Sequence, residues 1–257
     1  MACSHGLELE EDRLGVVQLQ NEKADDVVKN SDNETRKSKT NLKIQLYAEQ
    51  KRIWPTEGKH ILAQFDQETI VVYQAFNPSI AKYAVKHQTF GGPEYSFTRM
   101  SWIKTNFLWM MYRCGWAKKV DQQRVLAITI SRTGFEEILS QAYTAKLQKS
   151  KGLESDKIEV RLQWDPDHFP TGEKELGRRA IQLGLKGETL RKLSSDWLVK
   201  IEDITEFVHQ EHEVLLREGQ WKIFTPSERV YPLCESNISQ RIGLDFYDHK
   251  GPTVVKK

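Results

Sequence analysis

Hydrophobic and polar residues change their spacing several times along this chain, and each change marks an expected element. Thr69–Phe76 (TIVVYQAF) is a run of β-branched and aromatic residues, read as a strand, that stops at Asn77-Pro78. That pair closes a strand and opens a helix with proline in its first turn. Ile80, Tyr83, Ala84 and His87 then recur at helical spacing until Gly91-Gly92-Pro93 ends the segment. A second strand is expected over Arg124–Ser131 (RVLAITIS), followed by an amphipathic helix over residues 134–149. Ile158–Trp164 (IEVRLQW) alternates strictly, which sets Glu159, Arg161 and Gln163 opposite a core face. Residues 176–184 read as a short helix, and 197–208 as a strand then a helix through Asp203-Ile204-Thr205. Residues 41–54 read as a short helix or edge element ending at Pro55. Short strands separated by unequal helices predict an α+β fold, a single mixed domain over residues 42–249, and no repeat suggests a solenoid or propeller.

The first 41 residues lack this patterning. They carry nine acids, six bases and no aromatic residue, so they cannot bury enough surface to offset their ordering entropy and are expected to form a disordered tail. Residues 250–257 are expected to fray. The whole chain of 257 residues has 38 Lys+Arg against 36 Asp+Glu. Removing the tail's net −3 from the total of +2 leaves +5 on the remainder. No apolar run is long enough for a membrane span, and the opening MACSHGLELEEDRL has acids where a signal peptide needs an apolar stretch. With Cys3, Cys114 and Cys234 far apart and no CxxC pair, the expectation is a reducing compartment, cytoplasmic or nuclear, with no membrane partner and no disulfide framework.

Charge and rings concentrate in one window. Arg99, Lys104, Arg113, Lys118, Lys119 and Arg124 stand against the single acid Asp121, interleaved with Trp102, Phe107, Trp109, Tyr112 and Trp116. Guanidinium forks pair with phosphate oxygens while flat rings stack on a heterocycle, so the window suits a nucleotide, NAD or a nucleic-acid strand. The competing reading makes Trp102, Phe107 and Trp109 core residues, and Lys118, Lys119 and Arg124 a solvated turn. In extended conformation Arg99 and Ser101 share a face and Lys104 lies opposite.

Other features carry less. His209 and His212 lie at helical spacing without a third ligand, so no metal site is assigned. Asp165-Pro166-Asp167-His168 resembles an oxygen-rich ion loop by composition, but Asp-Pro before Asp is also ordinary turn chemistry, and the turn is the favoured reading. Arg178-Arg179 either adds two phosphate contacts or starts an amphipathic helix. Cys114 is a buried thiol by default. The glycines fit neither a P-loop nor a dinucleotide fingerprint, which excludes kinase and NTPase readings of those types.

The blocks VYQAFNPSIAKYAVKHQTFGG, FTRMSWIKTNFLWMMYRCGWAKK, QQRVLAI, RRAIQLGL and IEDIT resemble those of the family called domain of unknown function 4291, over roughly residues 70–208. The resemblance implies that these blocks form one domain. At the level of fold, a strand ending in Val72-Tyr73-Gln74, a helix, and a second strand bearing Ser101 are similar to the split arrangement of ADP-ribosyltransferases. That similarity implies a site that binds NAD as cofactor, with Gln74 standing where the family has a basic or histidine residue. It implies Ser101, Gln182 and Glu202 as the catalytic set. Arg99, Lys104 and Arg113 would hold phosphate, Trp102 and Tyr112 would stack, and Tyr73 and Gln74 would line the site. The expected function is transfer of ADP-ribose to a nucleic-acid or protein acceptor. The alternative is a non-catalytic module that binds single-stranded nucleic acid or a nucleotide. Acceptor and oligomeric state are left open.

Overall fold

The computed structural model describes residues 39–233 and 235–247. The tail expected over residues 1–41 lies outside these, apart from its last three, and so do Cys234 and the end expected to fray.

The two β-branched runs form the centre of a sheet. β4 (Thr69–Phe76) and β6 (Arg124–Ser131) pair antiparallel along their whole length, from Thr69↔Ser131 to Phe76↔Arg124. Outside β6 lies β9 (Leu198–Asp203), and on the other side of β4 come β5 (Ser101–Lys104) and β8 (Lys174–Leu185). β7 (Val160–His168) runs antiparallel along the outer side of β8, and β2 (Gly58–Lys59) meets β8 in parallel at Gly58↔Arg178. Two small pairs complete the described strands: β1 (Ile44–Leu46) with β10 (Phe224–Pro226), and β3 (Leu62–Ala63) with β11 (Arg229–Val230).

Alternation along the strands gives this sheet two apolar faces. Ile70, Val72, Ile103, Leu126, Ile128 and Leu183 belong to one core. Residues from α2 (Pro78–His87), α4 (Arg132–Gln141), α6 (Gly187–Ser194) and α8 (Ser236–Ile242) join it. Val71, Tyr73, Val125 and Ala127 belong to the other, with residues from α1 (Tyr47–Ile53), α3 (Phe107–Cys114) and α7 (Thr205–Glu218). A short α5 (Ala145–Ser150) brings the described α-helices to eight. The fold is a mixed α+β sheet covered by helices on both faces, and the described residues from Leu42 onward form one compact unit.

Three expectations need correction. Residues 176–184 are the body of β8, not a helix. Ile181, Leu183 and Leu185 sit in one core while Gln182 and Gly184 fall between them, so period two governs the segment. Two glycines within it also weaken a helix. The helix expected over residues 134–149 is two, α4 and α5, because the chain leaves α4 at an extended Ala142 and Thr144 caps α5 by accepting from the Leu147 N–H (3.2 Å). The Asp165–His168 ion loop is the end of β7, with a register shift at Pro166/Asp167, where a residue lacking an N–H is tolerated.

Candidate functional site

The site is built where β5 gives way to α3. Asn106 stops the strand and caps the helix, its Oδ1 accepting the Trp109 N–H at 2.7 Å. The buried Glu228 carboxyl accepts from the Phe107 N–H (2.6 Å) and Asn106 Nδ2 (3.0 Å), pinning the same helix start. Burial holds that carboxyl well above the usual carboxylate range, opposed by the Phe107 N–H bond. At the other end Gly115 adopts the left-handed conformation (φ 58°), and Lys119 Nζ donates to the carbonyls of Arg113 (2.8 Å) and Tyr112 (3.3 Å). Phe107, Leu108, Met110, Met111 and Cys114 are buried, which leaves Tyr112 and Arg113 exposed on the outer side of α3.

β4 and β5 pair only at Tyr73↔Lys104. A polar hollow of about 310 Å³ opens next to that pair, lined by Gln74, Trp102, Lys104, Arg113, Gln122 and Gln182, with Met100 and Met110 as apolar walls. Lys104 is 3% exposed. Its Nζ donates to the Trp102 carbonyl (3.0 Å) and lies 5.9 Å from the centre of the Trp109 ring. Among the described residues no carboxylate pairs with Lys104 or with the side chain of Arg113. Burial, and next the charge of Arg113, push the Lys104 ammonium down to about 7, against a smaller upward pull from Asp165. Buried Lys104 and exposed Arg113 therefore face one small polar cavity, and neither is paired with a carboxylate among the described residues, so a desolvation cost falls on Lys104.

Of the ten residues expected from sequence, five line this hollow: Gln74, Trp102, Lys104, Arg113 and Gln182. Trp102 lies close over β8 because residue 184 is glycine; a Cβ there would stand 2.9 Å from the Trp102 ring and 2.8 Å from Met100 Sδ. Gln182 sits directly opposite Lys104 in the β5–β8 register and donates to Asp165 Oδ2 (2.6 Å) and Gln163 Oε1 (2.9 Å). Ser101 is not in the lining of this hollow; its Oγ accepts from Gln74 Nε2 at 2.7 Å and so positions an amide that is. Tyr73 is wholly buried edge-on to Phe107 (5.7 Å), and burial raises its hydroxyl well above the ordinary value. Tyr112 stacks on the buried His168 ring at 3.6 Å, and Arg99 is exposed ahead of β5. Glu202 lies on β9, three strands from Lys104, about 14 Å away at the usual strand spacing. It pairs there with Lys200 (3.0 Å).

The rest of the basic window disperses. Arg124 pairs with Asp203 (3.5 Å) and, with Lys118, His209 and His212, lines a different groove. Phe107 and Trp109 are core rings, as the competing reading held; Trp116, which it did not name, is buried as well, and Trp102, which it placed in the core, is half-buried in the lining. Cys114 is fully buried, and burial raises its thiol above the ordinary value. Sequence reasoning missed Gln122, Met100 and Met110 in the lining, and it missed the buried support beside it. Asp167 Oδ2 accepts from Arg178 Nε (2.7 Å) and NH2 (2.6 Å), and Arg178 NH1 donates to the Pro55 carbonyl (2.7 Å). Both carboxylate and guanidinium are spent on structure, which removes Asp167 from an ion loop and Arg178 from the phosphate contacts.

The described chain is thus a mixed α+β domain carrying a cationic, amide-lined pocket between its sheet and one helix. Residues 60–231 match the model of the family described as Domain of unknown function (DUF4291), and the chain belongs to that family. The match spans every residue of the pocket and reaches Glu228. No curated protein matches the chain. Among the described residues no helix is long and apolar enough to cross a membrane.

Proposed function

We propose that this domain binds a nucleotide, with the phosphate held by Lys104 and Arg113 and the base against Trp102. The observation that carries the reading is the buried Lys104 beside Arg113 with no carboxylate partner among the described residues. A phosphate supplies the missing negative charge and accepts from both donors, while Gln74, Gln122 and Gln182 offer amides to sugar hydroxyls or ring edges. A volume of about 310 Å³ is at the low end of the roughly 300–1,000 Å³ usual for small-molecule sites. It favours a mononucleotide, or one half of a dinucleotide such as NAD with the other half outside.

ADP-ribosyl transfer is the second reading, and Asp165 is what favours it. The departing nicotinamide leaves positive charge on the ribose, which a carboxylate beside the pocket would stabilise. Asp165, held by Gln182 at 2.6 Å, stands closer to the pocket than Glu202 and replaces it in that role.

Titration calorimetry with AMP, NAD and inorganic phosphate tests the binding reading. Saturable binding of AMP that is lost in Lys104→Met and weakened at least tenfold in Arg113→Gln is expected. Failure of all three to bind at millimolar concentration rejects it. Release of nicotinamide from NAD, abolished by Asp165→Asn, separates the transferase from the binding module.

A further inference from the structure

A second, larger depression lies along the outer edge of the sheet and shares a wall with the pocket. It encloses about 940 Å³ between β7, α5, α8 and the β2–β8 contact. Lys59, Lys146, Arg179 and Arg241 line it, with Asp165 as the only acid in the lining. Asp165 already accepts from Gln182, and Arg241 is partly engaged, donating to the Ala142 carbonyl at 2.9 Å. No carboxylate pairs with Lys146 or Arg179 among the described residues. Trp164, half-buried and fixed by a bond from Nε1 to the Ile242 carbonyl (2.9 Å), offers a ring among these cations. Gln163 and Asp165 line this groove, and both accept from Gln182, which lines the pocket. One side chain thus links the linings of the two cavities by hydrogen bonds.

We infer that the groove binds a single-stranded nucleic-acid segment, whose terminal phosphorylated nucleotide enters the Lys104–Arg113 pocket. This rests on the pocket reading above and names its ligand class. Four cations against one already engaged acid match a polyanion, and a fixed indole among them is the platform on which a base stacks, the combination that single-strand sites use. A free mononucleotide fills the pocket and leaves the groove empty. A strand with its end in the pocket uses both. A duplex would need two backbones over a wide surface, whereas the cations here line one depression.

The test is fluorescence anisotropy with the full chain and a labelled 12-nucleotide single strand, with and without a 5′-phosphate or a 3′-phosphate, beside calorimetry with AMP. The double variant Lys146→Glu/Arg179→Glu changes exposed or half-buried groove residues outside the pocket lining. It is expected to bind the strand at least tenfold more weakly and to bind AMP as the parent does. The slope of log affinity against log salt should shrink by about 1.4, since each phosphate neutralised on a single strand adds roughly 0.7 to it. One of the two end-phosphates should tighten parent binding, and Arg113→Gln should remove that preference. No binding of the strand, equal binding by parent and double variant, or equal affinity for a poly-glutamate peptide of the same charge overturns the inference. If the strand binds and the double variant weakens it while AMP gives no heat, the groove stands and the pocket reading alone fails.

Discussion

Lys104 and Gln182 face each other across the β5–β8 register, and the carboxamide of Gln182 turns away from the ammonium to reach Asp165 at 2.6 Å. The nearest candidate counter-ion of Lys104 is thereby tied to an amide instead. The sheet thus presents a buried amine with Arg113 as its strongest charged neighbour, which is why the amine is pushed down to about 7.

Anion binding should therefore be coupled to proton uptake. A phosphate beside Lys104 favours the ammonium and raises its pKa above the free value of about 7. Affinity is then greatest below that pH and falls as pH rises from 7 toward the pKa of the complex. At pH 8 the phosphate monoester of AMP is already a dianion, since its second pKa is about 6, so proton uptake on binding AMP there reports on the protein. Calorimetry at pH 8 in buffers of different ionisation heat should show a fraction of a proton taken up per AMP bound. Zero uptake would contradict the placement of the anion.

Removing the amine should stabilise the fold while destroying the site. Lys104 has an ordinary value of 10.5 in the unfolded chain and about 7 in the folded one, so the unfolded state holds the extra proton between those limits. The parent's stability consequently rises with pH across that window, and the full penalty is present below it. Lys104→Met lacks this titration. At pH 6 it should be more stable by about 1–3 kcal/mol, the order of the desolvation penalty of a buried polar group, which the single bond to the Trp102 carbonyl offsets only in part. Its advantage should shrink toward pH 10, as followed by urea denaturation.

The opposite holds for the paired charges nearby. Arg178 and Asp167 are both about 2% exposed and joined through two bonds to one carboxylate oxygen. Asp167→Ala leaves a guanidinium buried with the Pro55 carbonyl at NH1 and the Trp54 ring 5.2 Å from Cζ, and no carboxylate bonded to it among the described residues. A loss of about 3–5 kcal/mol is expected from breaking such a pair. Denaturant midpoints would check it, and a change under about 1 kcal/mol would show that water replaces the carboxylate.

Much of the fold is legible from spacing because β4, β6 and α2 carry their signals locally: β-branched runs, an Asn-Pro stop, a helical period. β8 misleads because RRAIQLGL is short and nearly all apolar at one end, where strand and helix periods are hard to distinguish. Its strand state is decided by pairing with β7 and β5, which no local window contains. The same limit applies to the site. Lys104 and Arg113 share a pocket because β5 and α3 adjoin in sequence, and the window Arg99–Arg124 holds them together. Gln182 comes to them through β8, across the sheet. Arg99, Lys118 and Arg124 carry the same charge in the same window but leave on other surfaces, since charge says nothing about direction. Glu228 gives no sequence signal, and Asp167 gives a misleading one as half of an Asp-Pro-Asp run; the role of each exists only after distant elements pack.

Gly184 offers a way to separate stacking from phosphate binding. A methyl group there would stand 2.8 Å from Met100 Sδ and 2.9 Å from both Met100 Cγ and the Trp102 ring. The thioether can swing aside, but the indole is held by the strand beneath it and has to tilt. Gly184→Ala should therefore cost about 1–3 kcal/mol of stability by overpacking. It should also move the ring from its place in the pocket wall. Lys104 and Arg113 approach from β5 and α3 and are not in the path of the new methyl. AMP affinity should fall several-fold while inorganic phosphate binds as in the parent. Equal loss of both ligands would mean that the pocket closes as a whole, and equal retention would show that the base does not rest on Trp102.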